Sequence, residues 1–253
     1  FCVQIIALNL FAMQPKVTPV DYVRPQIDTH KSRWFFFSSA SRPFGMVSLS
    51  PDTWTEGSWN SGYLYNSKEI RCFSHVHCWQ LAGVPVMPTT GEVKGHKGMD
   101  AYKSTYSHET EIVKPGYHKV ELDTYQIRVE LTSTSRVGMH RYTYPAGEKA
   151  NVLFDVGALL AHGKTEKAAI HRISSKEIGG YSVLAPTSRR KKPVTVYFVA
   201  RFNQNMTAFG GWEKEGKEKK LVHKNSIEGA DIGGYASFGK LKKQTLLMKV
   251  GIS

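Results

Sequence analysis

The sequence is short of three things. It has three cysteines, Cys2, Cys72 and Cys78, in 253 residues, too few for a disulfide scaffold. It has few acids: 21 Asp and Glu stand against 34 Lys and Arg, for a formal charge of +13. It also lacks a long apolar run. The most apolar stretch, residues 1–13, is too short to span a bilayer as a helix, so no transmembrane segment is expected. Residues 1–16 instead resemble the apolar part of a secretory signal without its basic start. They are read as a signal remnant, the alternative being an N-terminal strand or helix packed on the domain.

Each shortage narrows the function. The basic excess permits attraction to nucleic acid or acidic surfaces. Its residues are clustered, however, in Arg189-Arg190-Lys191-Lys192 and over residues 214–224, which read as exposed loops or hairpin ends. No nucleic-acid module is recognisable, and no nucleic-acid partner is expected. The acids offer no matched pair for general acid and base work. Asp52, Glu56, Glu69 and Glu92 are scattered and read as turn or surface groups, so no catalytic residue is assigned.

What is present reads as β. A chain of this length with 41% hydrophobic residues and 22 glycines can bury a sizeable core. Ile127, Val129 and Leu131 alternate with Gln126, Arg128 and Glu130, giving one apolar and one wet face. Val194, Val196, Phe198, Ala200 and Phe202 line one face of a long strand. Residues 46–50 alternate in the same way and close at Pro51-Asp52-Thr53, and residues 17–23 read as an extended entry. Arg42-Pro43-Phe44-Gly45 and Lys114-Pro115-Gly116 are turn signatures, and the pairs Gly179-Gly180 and Gly233-Gly234 suggest bends or bulges. Only residues 157–167 have room for a helical turn or two. Short strands with turns every 8–12 residues predict an all-β, large antiparallel β-sandwich with few or no helices.

One window concentrates chemistry. Arg71-Cys72-Phe73-Ser74-His75-Val76-His77-Cys78-Trp79-Gln80 holds a cation, two imidazoles, two thiols and an indole. If extended, it places Arg71, Phe73, His75, His77 and Trp79 on one face. Three readings of that face stand open. It is a structural face of hydrogen-bonded histidines and core rings. It is a metal site in which His75 and His77 need a third ligand from elsewhere. Or it is a sugar wall, with Trp79 as an apolar platform and Arg, His and Gln binding hydroxyls.

Several motifs together carry a resemblance over residues 20–253. They are Arg42-Pro43-Phe44-Gly45-Met46-Val47-Ser48-Leu49-Ser50-Pro51-Asp52-Thr53, Ile70-Arg71-Cys72-Phe73-Ser74-His75-Val76-His77, Val86-Met87-Pro88-Thr89-Thr90-Gly91, Ser107-His108-Glu109, Lys114-Pro115-Gly116-Tyr117-His118 and residues 130–138. The chain resembles the N-terminal domain of glycoside hydrolase family 92, exported exo-acting α-mannosidases. Two departures are visible: Cys72 stands where the family often has Gly, and residues 31–37 replace a Gly-rich run. The resemblance implies a supersandwich-like domain over 17–253, docked on a C-terminal (α/α)6 catalytic domain that this chain does not contain. It implies α-1,2-mannosidase-like, inverting hydrolysis of mannose-containing glycans such as N-glycans, dependent on Ca2+ whose ligands lie mostly in that second domain. It implies a secreted, periplasmic or cell-surface location, and a sugar-binding wall of Phe44, Arg71, Phe73, His75, His77 and Trp79. The rival expectations are a free-standing mannose-binding module without hydrolase activity, and a basic adhesion or scaffold domain with no sugar site.

Overall fold

A computed structural model describes residues 17–30, 39–56, 62–77, 83–158, 160, 163–188, 190–242 and 244–253. The expected signal remnant, residues 1–16, therefore lies outside the described residues.

The alternating stretches become strands of two large sheets, except residues 46–49, where the only strand begins at Ser50 and takes in Pro51 and Asp52 instead. The smaller runs in the order β1 (Ser50–Asp52), β3 (Cys72–Ser74), β4 (Val86–Thr90), β10 (Lys149–Phe154), β17 (Gly233–Lys240), β14 (Ala208–Glu215), β15 (Glu218–Val222). The larger runs β16 (Ser226–Gly229), β11 (Thr165–Arg172), β12 (Glu177–Leu184), β13 (Val194–Phe202), β18 (Thr245–Ile252), β9 (Val137–Thr143), β8 (Ile127–Ser133), β7 (Tyr117–Leu122), β6 (Ile112–Lys114). A two-stranded ribbon joins β2 (Glu69–Ile70) to β5 (Ser104–Thr105). Antiparallel order runs through both large sheets, as in β10 with β17 and β13 with β18. The all-β antiparallel sandwich expected from the pattern is the observed fold.

The inner faces meet through aromatic rings. Phe154 of β10 stacks on Phe198 of β13 at 5.9 Å, and Phe202 of β13 meets Phe238 of β17 edge-on at 4.8 Å. Val196, Phe198, Ala200 and Phe202 are buried, while Tyr197, Val199 and Arg201 between them are exposed. Burying a Phe side chain stabilises by roughly 1.5–3 kcal/mol, so this seam is a principal source of cohesion.

Three local expectations are corrected. Residues 17–23 are not extended: Pro19–Tyr22 form a 3-10 turn, with Thr18 and Asp21 capping each other. The described part of residues 157–167 holds no helix, and β11 begins at Thr165; short helical turns sit instead at Gly95–Lys97 and at α1 (Met99–Tyr102). The glycine pairs are neither bends nor bulges. Gly179 and Gly180 lie in an unbroken ladder with β13, and Gly233 and Gly234 in one with β14. They are small because neighbouring side chains and backbone, from the same sheet at Gly180 and from the opposite sheet at Gly234, need the room. A Cβ on Gly234 would sit 2.7 Å from Ile170 Cδ1, and one on Gly180 would meet Phe198 Cε1 at 2.8 Å and run into the Ala169 carbonyl. The register shifts fall elsewhere, between Ala150 and Asn151 and between Thr165 and Lys167.

Gly180→Ala should therefore lower the unfolding free energy by about 1–3 kcal/mol or more, the usual cost of overpacking. A Cβ at Gly251 would meet nothing nearer than 4.0 Å, so Gly251→Ala should stay within about 0.5 kcal/mol. Urea unfolding of the two variants measures the contrast.

Candidate functional site

The Arg71–Trp79 window is not one alternating strand, and this expectation is corrected. β3 ends at Ser74, and residues 72–76 are all buried. Both faces of β3 are covered, by the carboxylate of β1 on one side and the opposite sheet on the other.

Asp52, at the end of β1 and fully buried, organises the first side. Its register partner is Cys72. The Asp52 carboxylate accepts from Ser74 Oγ, from Cys72 Sγ at 3.2 Å and from His77 Nε2 at 2.7 Å. The other nitrogen of His77 faces the Ser48 carbonyl. Burial works against a charged His77, but the charge and hydrogen bond of Asp52 outweigh it and leave the pKa raised. His77 thus turns to the side of Cys72 and Ser74, opposite to its expected face. Burial first, then Asp52, pushes the Cys72 thiol well up, so it is an inert donor rather than a nucleophile.

His75 points to the second side, into the seam between the sheets. Its Nδ1 donates to the Val84 carbonyl at 2.9 Å, and its Nε2 meets His140 Nε2 of β9 at 2.8 Å. The Tyr142 hydroxyl lies 2.8 Å from His140 Nδ1. One proton arrangement satisfies the whole chain: Tyr142 donates to His140, His140 to His75, and His75 to the backbone. Both rings are then neutral. Burial drives His75 down to about 4 and His140 well below its ordinary value. The strand opposite leaves space by using Gly138, where a Cβ would lie 2.7 Å from the His75 ring. Phe73 is fully buried in the same core. Phe73 and His75 thus face inward in this chain, not onto an open surface.

Arg71, just before β3, keeps its side chain 15% exposed and lies 3.4 Å from Asp100 and 3.6 Å from Glu56, both largely exposed acids. Phe44 is fully exposed at positive φ (59°) in the expected turn. That turn is tied to the β8–β9 connection through Met46 N–H donating to the Ser135 carbonyl at 2.7 Å. Trp79 lies outside the described residues.

A second buried carboxylate, Glu111, also escaped the sequence reading. It accepts from Tyr63 at 2.8 Å and from Gln26 at 3.1 Å, and pairs with His108 at 2.6 Å and His118 at 2.9 Å. Burial raises its pKa, but these hydrogen bonds and the interaction with His118 win and leave it lowered. Only the His108-x-x-Glu111 spacing hinted at this. Neither Asp52 nor Glu111 is free for acid–base chemistry. Among the described residues, no group of three His, Cys, Asp or Glu side chains could hold a metal ion. The His75–His77 metal reading fails on geometry, since the two rings diverge, and these residues do not fit a resident Ca2+.

Two outcomes follow. In the unfolded chain His75 titrates near 6.5, but in the fold only near 4. Its neutral, buried state therefore stabilises fully above pH 6.5, and that contribution is lost as pH falls toward 4. Asp155, raised to about 6 by burial against the Tyr102 hydrogen bond, opposes this with one proton; His140 reinforces it. The melting temperature should fall between pH 6.5 and 4, with both rings still neutral by NMR at pH 5.5. In addition, Asp52→Ala should cost about 3–5 kcal/mol of stability, as expected when a buried pair loses one partner. Arg71→Ala should cost about 1 kcal/mol or less, because its partners are exposed. Chemical denaturation decides both.

Comparison with known proteins bears on the fold and the family. A comparison with curated protein sequences gave no match. Among solved structures, the family GH92 alpha-mannosidase BT3965 from Bacteroides thetaiotaomicron superposes with a TM-score of 0.81 and 27% identity, over 95% of this chain and 34% of that one. Its complex with mannoimidazole gives 0.78 and 28%, over 92% of this chain and 32% of that one. The family GH92 inverting mannosidase BT2199 of the same organism shares the fold, with a TM-score of 0.75 and 21% identity over 92% of this chain and 31% of that one. The chain thus spans about a third of the length of these enzymes. The model of the glycosyl hydrolase family 92 N-terminal domain matches residues 22–253, and the chain belongs to that family.

Proposed function

We propose that this chain is the N-terminal domain of a Ca2+-dependent, inverting α-1,2-mannosidase-like enzyme, acting on mannose-containing glycans outside the cytoplasm. The observation that supports this most is the match to an alpha-mannosidase at 27% identity over 95% of this chain but 34% of that one. A catalytic (α/α)6 domain would supply the remainder. In such an enzyme a carboxylic acid protonates the leaving oxygen while a carboxylate activates water across the ring. Both groups, and the Ca2+ that would hold sugar hydroxyls, are assigned to the second domain.

This chain's part is to build one wall of the pocket. Arg71 and Trp79 would face the sugar, with Phe44 at the domain boundary; Phe73, His75 and His77 would back the wall from inside. Arg71 is suited to binding hydroxyls, since five N–H donors sit on a side chain that only exposed acids restrain. Asp52 would act as a positioning residue, because it fixes His77, two residues before Trp79.

The chain alone should not turn over aryl α-mannosides or mannobioses, with or without Ca2+. In the full-length enzyme, Arg71→Ala and Trp79→Ala should each lower kcat/KM about tenfold or more, or about 1.4 kcal/mol of transition-state binding. Turnover by the purified chain that vanishes on mutating one of its acids would overturn the reading. So would unchanged kcat/KM in both full-length variants.

A further inference from the structure

A cavity of about 440 Å³ lies at the rim of the sandwich, where β10 ends and β11 begins. Its wall includes Asp155, Thr165, Lys164, Lys219 and Asp231. Asp155 follows β10 and is 4% exposed; one carboxylate oxygen accepts from the Tyr102 hydroxyl at 2.7 Å, and the other, Oδ1, has no hydrogen-bond partner among the described residues. Thr165 opens β11, is also 4% exposed, and its Oγ1 has no partner either. Buried polar groups are nearly always satisfied. Of the nine buried side-chain atoms without a partner among the described residues, two belong to residues lining this one cavity, which makes it a place where a partner from outside the chain could satisfy both.

The lining limits what that partner can be. An anion would face the unpaired Asp155 oxygen. A divalent ion such as Ca2+ seeks six to eight oxygens, but here it would face two lysines, one of which already holds Asp231. A single water occupies about 30 Å³, whereas this volume falls within the roughly 300–1,000 Å³ of small-molecule pockets. What remains is a neutral molecule whose groups both donate and accept, because ammonium donors and carboxylate and hydroxyl acceptors share the wall.

We infer that this cavity is a subsite for a neutral sugar ring, with Asp155 Oδ1 and Thr165 Oγ1 engaging neighbouring hydroxyls. Both atoms are shielded from solvent, so binding takes a rotation of each side chain toward the cavity. Burial raises the Asp155 pKa to about 6, and a hydroxyl donated to it would relieve part of that cost. The place is suggestive. Tyr102, which holds Asp155, ends α1, and Asp100 of the same turn faces Arg71. The cavity and the Arg71 group therefore flank one short segment, as two subsites along a glycan would. The choice of a mannoside as ligand rests on the functional reading above; the preference for a neutral polyol does not.

The test is titration of methyl α-D-mannopyranoside into the ¹⁵N-labelled chain. Saturable amide shifts are expected at Gly98, Gly157, Ala158 and Ala230, all at the cavity. Asp155→Asn and Thr165→Val should each weaken binding about tenfold or more. Asp155→Asn keeps an acceptor for Tyr102 but places a donor where the free oxygen stands. Thr165→Val removes only the hydroxyl and serves if the first variant fails to fold. Shifts confined to Arg71 and His77 would overturn the subsite while leaving the functional reading intact. Absence of saturable shifts, binding unchanged in both variants, or the same cavity shifts from CaCl2 alone would also overturn it.

Discussion

A carboxylate sealed away from water must be answered by donors, and the Asp52 carboxylate sets the terms for this end of the sandwich. Leaving such a charge unanswered costs several kcal/mol. Its three donors come from Cys72, Ser74 and His77. That requirement pins the short pair β1–β3, which has only three register positions of its own. It also stops the strand alternation at Ser74, because His77 must turn back to the acid. Arg71, just ahead of β3, is consequently held on a packed base. A functional wall is better held by such a base than by loop residues alone.

The second organising demand is space. Bulky side chains reach across the seam at two places where the facing strand gives up its side chain, His75 opposite Gly138 and Ile170 opposite Gly234, and Trp212 lies against Gly233 of its own sheet. Glycine in a strand is entropically poor, so its repeated use here reflects fit rather than flexibility.

These two demands explain what was legible in the sequence. Alternation along β8 and β13 was visible because one face of each is wet, and period-2 contrast is then a direct print of burial. The Phe44 turn and the β6–β7 turn at Gly116 were visible because turn chemistry is local. Asp52 was read as a turn residue because nothing near it in sequence shows that Ser74 and His77 will converge on it. Glu111 was missed for the same reason, its partners Gln26 and Tyr63 being far away in the chain. His75 and His77 looked alike as a His-x-His pair, but the end of β3 sends one into the core and the other to Asp52. The glycine pairs looked like breaks because a missing side chain reads the same whether it permits a bend or a neighbour.

The place of β18 bears on how the molecule is assembled. Among the described strands it is the last in the chain, yet it lies in the middle of the larger sheet, between β13 and β9. Until residues 245–252 leave the ribosome, β16-β11-β12-β13 and β9-β8-β7-β6 are two separate halves, each presenting an unpaired edge. Such edges invite pairing with other chains, and late, long-range closure is slow. A nascent chain is therefore exposed to misassembly until β18 arrives, and the apolar residues Leu246, Met248 and Val250 act as the keystone that ends that interval.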